Sequence, residues 1–393
     1  MASATISTAE ILRDGVALHK TGRLHEAAAL YEAALESEPL NADAMHLLGV
    51  VAHQRGDHDA AIQRIRRAIS INGGSASYHS NLGIALRSLG RTAEAIETLR
   101  RAADLNPMSA DVRFNLGNAH LDAGEFREAI AAFRSSVEYD PQNAAAWTGL
   151  GEALRETREI EESRRCHERA IGLSPRFADA HYNLGLTYRD TGDYSEAVAC
   201  CLRAVTLRPD FTAAHIAVGN LYEDLGDFHR AIAGYERALR SDPQLAAIRF
   251  NRSLALLRQG ELAAGWDEYQ SRWRHNNKPR VFAEPEWDGS LSPEKTILVY
   301  SEQGVGDEIM FASCFAEVIE RTKQSLIECE PRLMRLFARS FPSARFFPRT
   351  GHTDPSQVRD LPTFDVQMAA GSVPGRLRRS FDTFPAHPGY LVP

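Results

Sequence analysis

Glycine recurs in this chain at a fixed interval: Gly49, Gly83, Gly117, Gly151, Gly185 and Gly219 stand 34 residues apart. A second comb runs through Pro39, Pro107, Pro141, Pro175, Pro209 and Pro243, broken only where Gly73 takes the slot. A third, Gly22, Gly56, Gly90, Gly124, Gly192, Gly226 and Gly260, has Arg158 as its exception. Strict self-similarity at this period leaves little choice of fold: one two-helix unit must be stacked on copies of itself. Eight units are expected from about Thr8 to Asn277, the last one worn.

Six glycines at one helical position each cost about 1 kcal/mol relative to alanine, so close packing must compensate. The second helix of each unit offers small residues in register: Ala27, Ala61, Ala95, Ala129, Ala197 and Ala231, then Ala34, Ala68, Ala102, Ala170, Ala204 and Ala238. These combs resemble those of tetratricopeptide (TPR) helical hairpins. The expected fold is therefore an all-α TPR superhelix (solenoid) over residues 8–279, with the first helix of each pair lining the inner face.

At about 100° per residue, the position two before each glycine points away from the packed partner. It reads Leu47, Asn81, Asn115, Gly149, Asn183, Ala217 and Asn251. Seven residues further on, the same face carries Gln54, Ser88, Asp122, Glu156, Asp190, Asp224 and Arg258. An interrupted asparagine row thus lies beside four consecutive acidic residues. Here the resemblance is to the TPR superhelix of O-linked N-acetylglucosamine transferases, whose inner asparagines clamp an extended polypeptide. Asn81, Asn115, Asn183 and Asn251 match that ladder; Gly149 and Ala217 depart from it. An amide both donates and accepts, so it suits a peptide unit of any sequence. The alternative is that these asparagines bond neighbouring repeats or water. The acidic row (Asp122, Glu156, Asp190, Asp224) reads either as a site for a basic partner segment or as a solvated face.

Net charge is −7 and the isoelectric point near 6.1, so no overall basic field favours nucleic acid or anionic membrane. Five cysteines without CxxC or zinc spacing are expected to be buried thiols in a reducing compartment. No apolar run reads as a signal peptide or membrane span, and a cytoplasmic location is the expectation. Fourteen histidines lack paired-ligand spacing, so no metal site is expected, and no cofactor.

Leu262, Trp266, Tyr269 and Trp273 share one helical face, expected to close the end of the repeat array against the next domain. Residues 280–295 then read as a connector broken by Pro285, Gly289 and Pro293, following Asn276-Asn277 and Pro279. From Thr296 the period is gone. Apolar runs at Thr296–Tyr300, Ser325–Cys329, Ala344–Phe347 and Phe364–Met368 predict strands. Helical stretches at Glu308–Arg321 and Pro331–Ser340 alternate with them, so residues 296–393 predict a small α/β Rossmann-like lobe with a parallel sheet. Gly304-Val305-Gly306 does not complete a dinucleotide fingerprint, because Ile309 stands at the third glycine. Asp307 and Glu308 at the following helix N-terminus would also repel a phosphate.

Gly265-Trp266-Asp267-Glu268-Tyr269, Arg272-Trp273, Trp287-Asp288-Gly289 and Glu302-Gln303-Gly304-Val305-Gly306-Asp307 resemble bacterial TPR proteins with a glycosyltransferase of the two-lobe GT-B kind. Phe364-Asp365 and Pro385–Leu391 fit the end of its first lobe. The Gly306-Asp307 turn is more remotely similar to that of lipopolysaccharide heptosyltransferases. The resemblance implies that Asp307 acts as general base toward an acceptor hydroxyl, with Glu302, Gln303, Gly304 and Gly306 forming the acceptor loop. The alternative is that Asp307 caps a helix. Roughly 115 residues after the repeats suffice for one α/β lobe, so the donor-binding half is expected to be missing. The expected function is a scaffold binding a polypeptide in its groove, fused to an acceptor-side lobe. The alternatives are an active transferase drawing a nucleotide-sugar site from a second lobe elsewhere, and a pure adaptor with a relic lobe.

Overall fold

The computed structural model describes residues 7–275, 279–349, 362–386 and 389–392. Asn276, Asn277, the His387-Pro388 step of the Pro385–Leu391 segment and Pro393 lie outside the described residues. The chain forms two compact units, Met1–Arg208 and Pro209–Pro393. The fold class is the expected one, TPR helical hairpins followed by a small parallel α/β lobe.

The first unit holds six hairpins. They are α1 (Thr8–Lys20) with α2 (Leu24–Ser37), α3 (Ala42–Gln54) with α4 (His58–Ile71), and α5 (Ala76–Ser88) with α6 (Thr92–Leu105). Next come α7 (Ala110–Asp122) with α8 (Phe126–Tyr139), α9 (Ala144–Glu156) with α10 (Ile160–Leu173), and α11 (Ala178–Thr191) with α12 (Tyr194–Leu207). Each second helix that the proline comb follows stops two residues before its proline, which cannot continue it. Asn41, Ser109 and Asn143 cap first helices by accepting from Ala44, Val112 and Ala146 backbone N–H groups at 2.9, 3.3 and 3.0 Å. The turn glycines adopt left-handed backbone, as does Arg158 in their place, at φ 67°.

The glycine comb has a more specific cause than alanine packing alone. Each glycine is a notch for one bulky side chain sixteen positions later. A Cβ on Gly83 would sit 2.5 Å from Leu99, on Gly117 2.7 Å from Phe133, and on Gly151 2.5 Å from the His167 ring. The alanines complete the contact: a Cβ on Gly49 would also meet the Ala61 carbonyl at 3.2 Å. Where the alanine comb lapses, Ser163 donates to the Gly151 carbonyl at 2.7 Å and Ser136 to that of Ala110 at 2.9 Å.

The second unit contains two more hairpins, α13 (Thr212–Asp224) with α14 (Phe228–Ser241) and α15 (Ala246–Gln259) with α16 (Leu262–Tyr269). A one-turn helix α17 (Arg272–His275) follows. The lobe runs β1 (Ser292–Tyr300), α18 (Val305–Phe311), α19 (Phe315–Arg321), β2 (Thr322–Cys329), α20 (Met334–Ser340), β3 (Arg345–Pro348), β4 (Val366–Ala369) and α21 (Val373–Leu377). All pairings are parallel, in the order β3-β2-β1-β4. β1 begins four residues before the expected Thr296, and the register irregularity between Ser292 and Thr296 absorbs Pro293, which cannot donate to a ladder. The expected helix from Glu308 starts at Val305 and is interrupted by a 3-10 turn at Ala312–Cys314.

The lobe and the last hairpin share one apolar core. Tyr269 and Trp287 are buried with Ile297, Val299, Phe311 and Phe315, and Phe250, Leu254, Leu257 and Trp266 pack against them. Trp287, 1 % exposed, donates its indole N–H to the Ser290 carbonyl and its backbone N–H to the Gln367 carbonyl of β4. The connector is thereby pinned to the sheet rather than loose.

Candidate functional site

Within the first unit, successive first helices touch one another directly: α3 with α5, α5 with α7, α7 with α9 and α9 with α11. Among the described residues no pair of second helices is in comparable contact. The first helices therefore line the inner side of this stack. Asn81, Asn115 and Asn183 lie there, half-buried on α5, α7 and α11. The Asn81 amide donates to His46 Nε2 at 2.8 Å, and burial, by pushing the imidazole down to about 4, keeps that nitrogen a neutral acceptor. Asn115 Nδ2 reaches Ser80 Oγ at a long 3.4 Å. At Asn183 it is the backbone carbonyl that accepts, from the Thr187 hydroxyl at 2.9 Å, while at Gly149 an added Cβ would meet the Phe133 ring at 2.6 Å.

The acidic row is bridged within the chain, 35 residues back. Arg87 donates to Asp122 at 2.6 Å and Arg155 to Asp190 at 3.0 Å, and Arg155 also pairs with Glu156. His19 and Gln54 make the equivalent contact at 2.9 Å. In the second unit, Glu223 and Arg258 repeat it at 2.7 Å with the charges exchanged. The signal for this ladder was present in the sequence, one position upstream of the acidic residues. Asp224 is exposed at the last position of α13, and Asn251 is half-buried on α15.

The second site lies at the carboxyl edge of the sheet, between β1 and β4, where the strand order reverses. Open α/β sheets place ligands there. Glu302 follows β1 and forms a bidentate pair with Arg272 of α17 at 2.8 and 3.1 Å, the two side chains 6 % and 3 % exposed. Glu302 also accepts from the Gly371 backbone N–H after β4 at 3.1 Å, and Arg272 donates to Ser372 at 2.7 Å. The guanidinium lies 4.1 Å from the Trp273 ring and 4.7 Å from that of Tyr269. Burial raises the Glu302 carboxyl, and Arg272 opposes that shift. The switch point is thus filled by an arginine from the end of the repeats, a residue that sequence reasoning noted only as part of a motif.

Gln303 and the Tyr269 hydroxyl exchange hydrogen bonds at 2.7 and 3.1 Å. Asp307 sits in the first turn of α18, its carboxylate accepting from Gly304 N–H at 3.2 Å. A Cβ at Gly306 would meet nothing within 4 Å, so the turn is open on that side. The neighbouring Glu308 is buried and serves the structure, accepting from Ser301 and, at 2.7 Å, from the Glu330 backbone N–H. Gln303 and Asp307 face a cleft of about 570 Å³ walled by Phe250, Leu254, Trp266 and Met310. Sequence reasoning missed those walls, which only the docking of α15 and α16 onto α18 creates. No group of three or more His, Cys, Asp or Glu able to hold a metal occurs among the described residues.

Models described as tetratricopeptide repeat match residues 13–77, 114–165, 217–277 and 178–211, together more than half of the chain, and a model described as TPR repeat matches 83–124. The chain belongs to the tetratricopeptide-repeat family. This TPR protein is 31 % identical over 167 residues to Protein FlbA of Caulobacter vibrioides, a stretch covering 39 % of this chain and 28 % of the relative. It therefore spans little more than a quarter of that relative's length. Among solved structures, a chain of the APC/C hetero-tetramer Cut9-Hcn1 superposes with a TM-score of 0.54 at 16 % identity, covering 70 % of this chain and 54 % of the other. A TPR protein from Parabacteroides merdae gives 0.53 at 18 % identity, covering 63 % and 98 %. At these identities the likeness is one of fold. No helix of the described residues is long and apolar enough to cross a membrane.

Proposed function

We propose that this TPR protein is an interaction scaffold that holds an extended polypeptide along its first helices and presents it to the α/β lobe. The TPR hairpins support the coarser reading, a protein–protein interaction scaffold. The observation that carries the finer one is the placement of Asn81, Asn115 and Asn183 on the helices lining the inner side of the first unit. Asn251, on α15 of the second unit, would contact a polypeptide in the same way. Asp122, Glu156, Asp190 and Asp224 would flank the polypeptide, with their charge already partly offset by Arg87 and Arg155. That offset favours amide recognition of backbone over a strongly basic partner. A peptide-array screen tests this: Asn115→Ala with Asn183→Ala should weaken the positive peptides several-fold, and unchanged binding rejects the clamp.

For the lobe, the reading is the acceptor-side half of a glycosyltransferase-like domain of the GT-B kind. Asp307 would act as general base, and Glu302, Gln303, Gly304 and Gly306 would form the acceptor loop. Supporting it are a parallel sheet, a carboxylate on the helix after β1 and the cleft that this carboxylate faces. A base needs only hydrogen-bond reach of the acceptor hydroxyl, and a nucleotide sugar would have to be held by a second lobe. Incubation with nucleotide sugars and a polypeptide acceptor discriminates. Transfer or donor hydrolysis lost in Asp307→Asn supports the enzyme, whereas its absence with peptide binding intact leaves a scaffold with a relic lobe. The site of action would be cytoplasmic.

A further inference from the structure

The cleft beside Asp307 is apolar on nearly every side but one. Its rim exposes large apolar groups to solvent, Met310 at 51 % and Phe384 at 49 %, around walls that include Phe250, Leu254 and Trp266. Exposed apolar groups ringing a pocket of this size mark a binding site. Gln303, bonded to Tyr269, and Asp307 are among its polar lining groups. Two cations also line the cleft, but both are compensated: Arg258 by Glu223 at 2.7 Å, and buried Arg378 by Glu317. Asp307 has no cationic partner among the described residues. A bulky apolar occupant carrying a hydrogen-bond donor for Asp307 fits this lining.

Asn251, Leu254 and Arg258 share one face of α15 by their spacing. Asn251 belongs to the asparagine row, and Leu254 and Arg258 line the cleft. A polypeptide held on this first helix would run into the cleft without changing direction. We propose that the cleft is a specificity pocket for a bulky apolar side chain, aliphatic or aromatic, immediately beside the hydroxyl-bearing residue that faces Asp307. This rests on the reading of the protein as a polypeptide binder and adds which polypeptides it selects.

The test uses the full chain and fluorescein-labelled peptides of glycine and serine, with or without one leucine beside the central serine, followed by anisotropy. Burying one leucine side chain corresponds to a tenfold or larger gain in affinity, so the leucine peptide should bind at least tenfold tighter. Met310→Glu changes a half-exposed rim residue and should bring the leucine peptide down to the glycine–serine level. Phe384→Ser, also at the rim, should do the same. Equal affinities for the two peptides, or indifference to both rim variants, overturn the pocket. If binding that is equal for both peptides still falls in Asn115→Ala, the polypeptide reading survives without the pocket. No measurable binding by either peptide overturns both.

Discussion

Arg272 and Glu302 hold the last repeat to the first strand of the lobe through a bidentate ion pair whose side chains are 3 % and 6 % exposed. The pair joins residues 30 apart in sequence, and its remaining hydrogen bonds go to Gly371, Ser372, Gln270 and the Tyr269 carbonyl. Removing one partner leaves a buried charge uncompensated, at a cost of about 3–5 kcal/mol. Arg272→Met is therefore expected to lower the urea midpoint of the second unit sharply. Arg272→Met with Glu302→Leu should recover most of that loss, because both charges are then gone. The pH dependence has a defined sign. Burial raises Glu302 in the folded chain, so its protonated form is favoured by folding. The Arg272→Met deficit should be smallest at and below the ordinary carboxylate range and grow as pH rises through the raised value. A deficit independent of pH would mean that lost packing on Trp273, and not the charge, dominates.

Glycine at the notch and glycine elsewhere in a helix should respond with opposite sign to the same substitution. At Gly117 the added methyl would stand 2.7 Å from Phe133, a buried ring with no room to retreat. Overpacking of this kind costs about 1–3 kcal/mol, more than the ~1 kcal/mol that helix propensity returns. At Gly172, inside α10, a Cβ meets nothing within 4 Å. Thermal melts should show Gly117→Ala less stable than the parent and Gly172→Ala more stable, by up to about 1 kcal/mol.

Arg158 occupies the turn position that glycine takes in the other seven hairpins, with φ 67°. Left-handed backbone costs a side-chain-bearing residue about 1–2 kcal/mol, and glycine's extra unfolded-state entropy takes some of that back. Arg158→Gly should raise stability by roughly 1 kcal/mol, with Arg158→Asn close behind. A fall in the melting midpoint would show that the arginine side chain contributes more than the strain it causes.

The repeats were legible because glycine, proline and alanine each recur for a backbone reason, and backbone geometry repeats with the period. The notch-filling row recurs just as strictly, but its members are Tyr31, Ile65, Leu99, Phe133, His167, Cys201 and Tyr235. Any bulky side chain fills a glycine notch, so shape repeats while chemistry does not, and a search by residue type passes over it. The polar ladder was hidden differently, its partners lying on consecutive first helices, as in Arg87 with Asp122 and Glu223 with Arg258. Charge exchange in the last rung erases the pattern from either column alone. The strands of the lobe were readable from their apolar runs. The cleft was not, since its walls come from α15, α16, α18 and the Phe384 segment, brought together only by tertiary packing.

His167 is the polar member of the notch-filling row. It is fully buried against Gly151, and neither ring nitrogen has a hydrogen-bond partner among the described residues. Desolvation pushes its pKa down to about 3, and nearby Arg155 pushes the same way. The imidazole is neutral in the folded chain and becomes charged in the unfolded one near pH 6.5. Stability from this site is therefore complete above the unfolded pKa and lost progressively as pH falls from 6.5 toward 3. By pH 5 the loss should be on the order of 2 kcal/mol. His167→Leu places in the notch the side chain that Leu99 already contributes beside Gly83. It removes two unsatisfied polar atoms, each costing about 1–3 kcal/mol when left without a partner. The variant should be more stable at neutral pH, and its advantage should widen on acidification. Denaturation series at pH 7.5 and pH 5 decide it: an advantage that stays constant between them would mean that His167 is not the group that titrates.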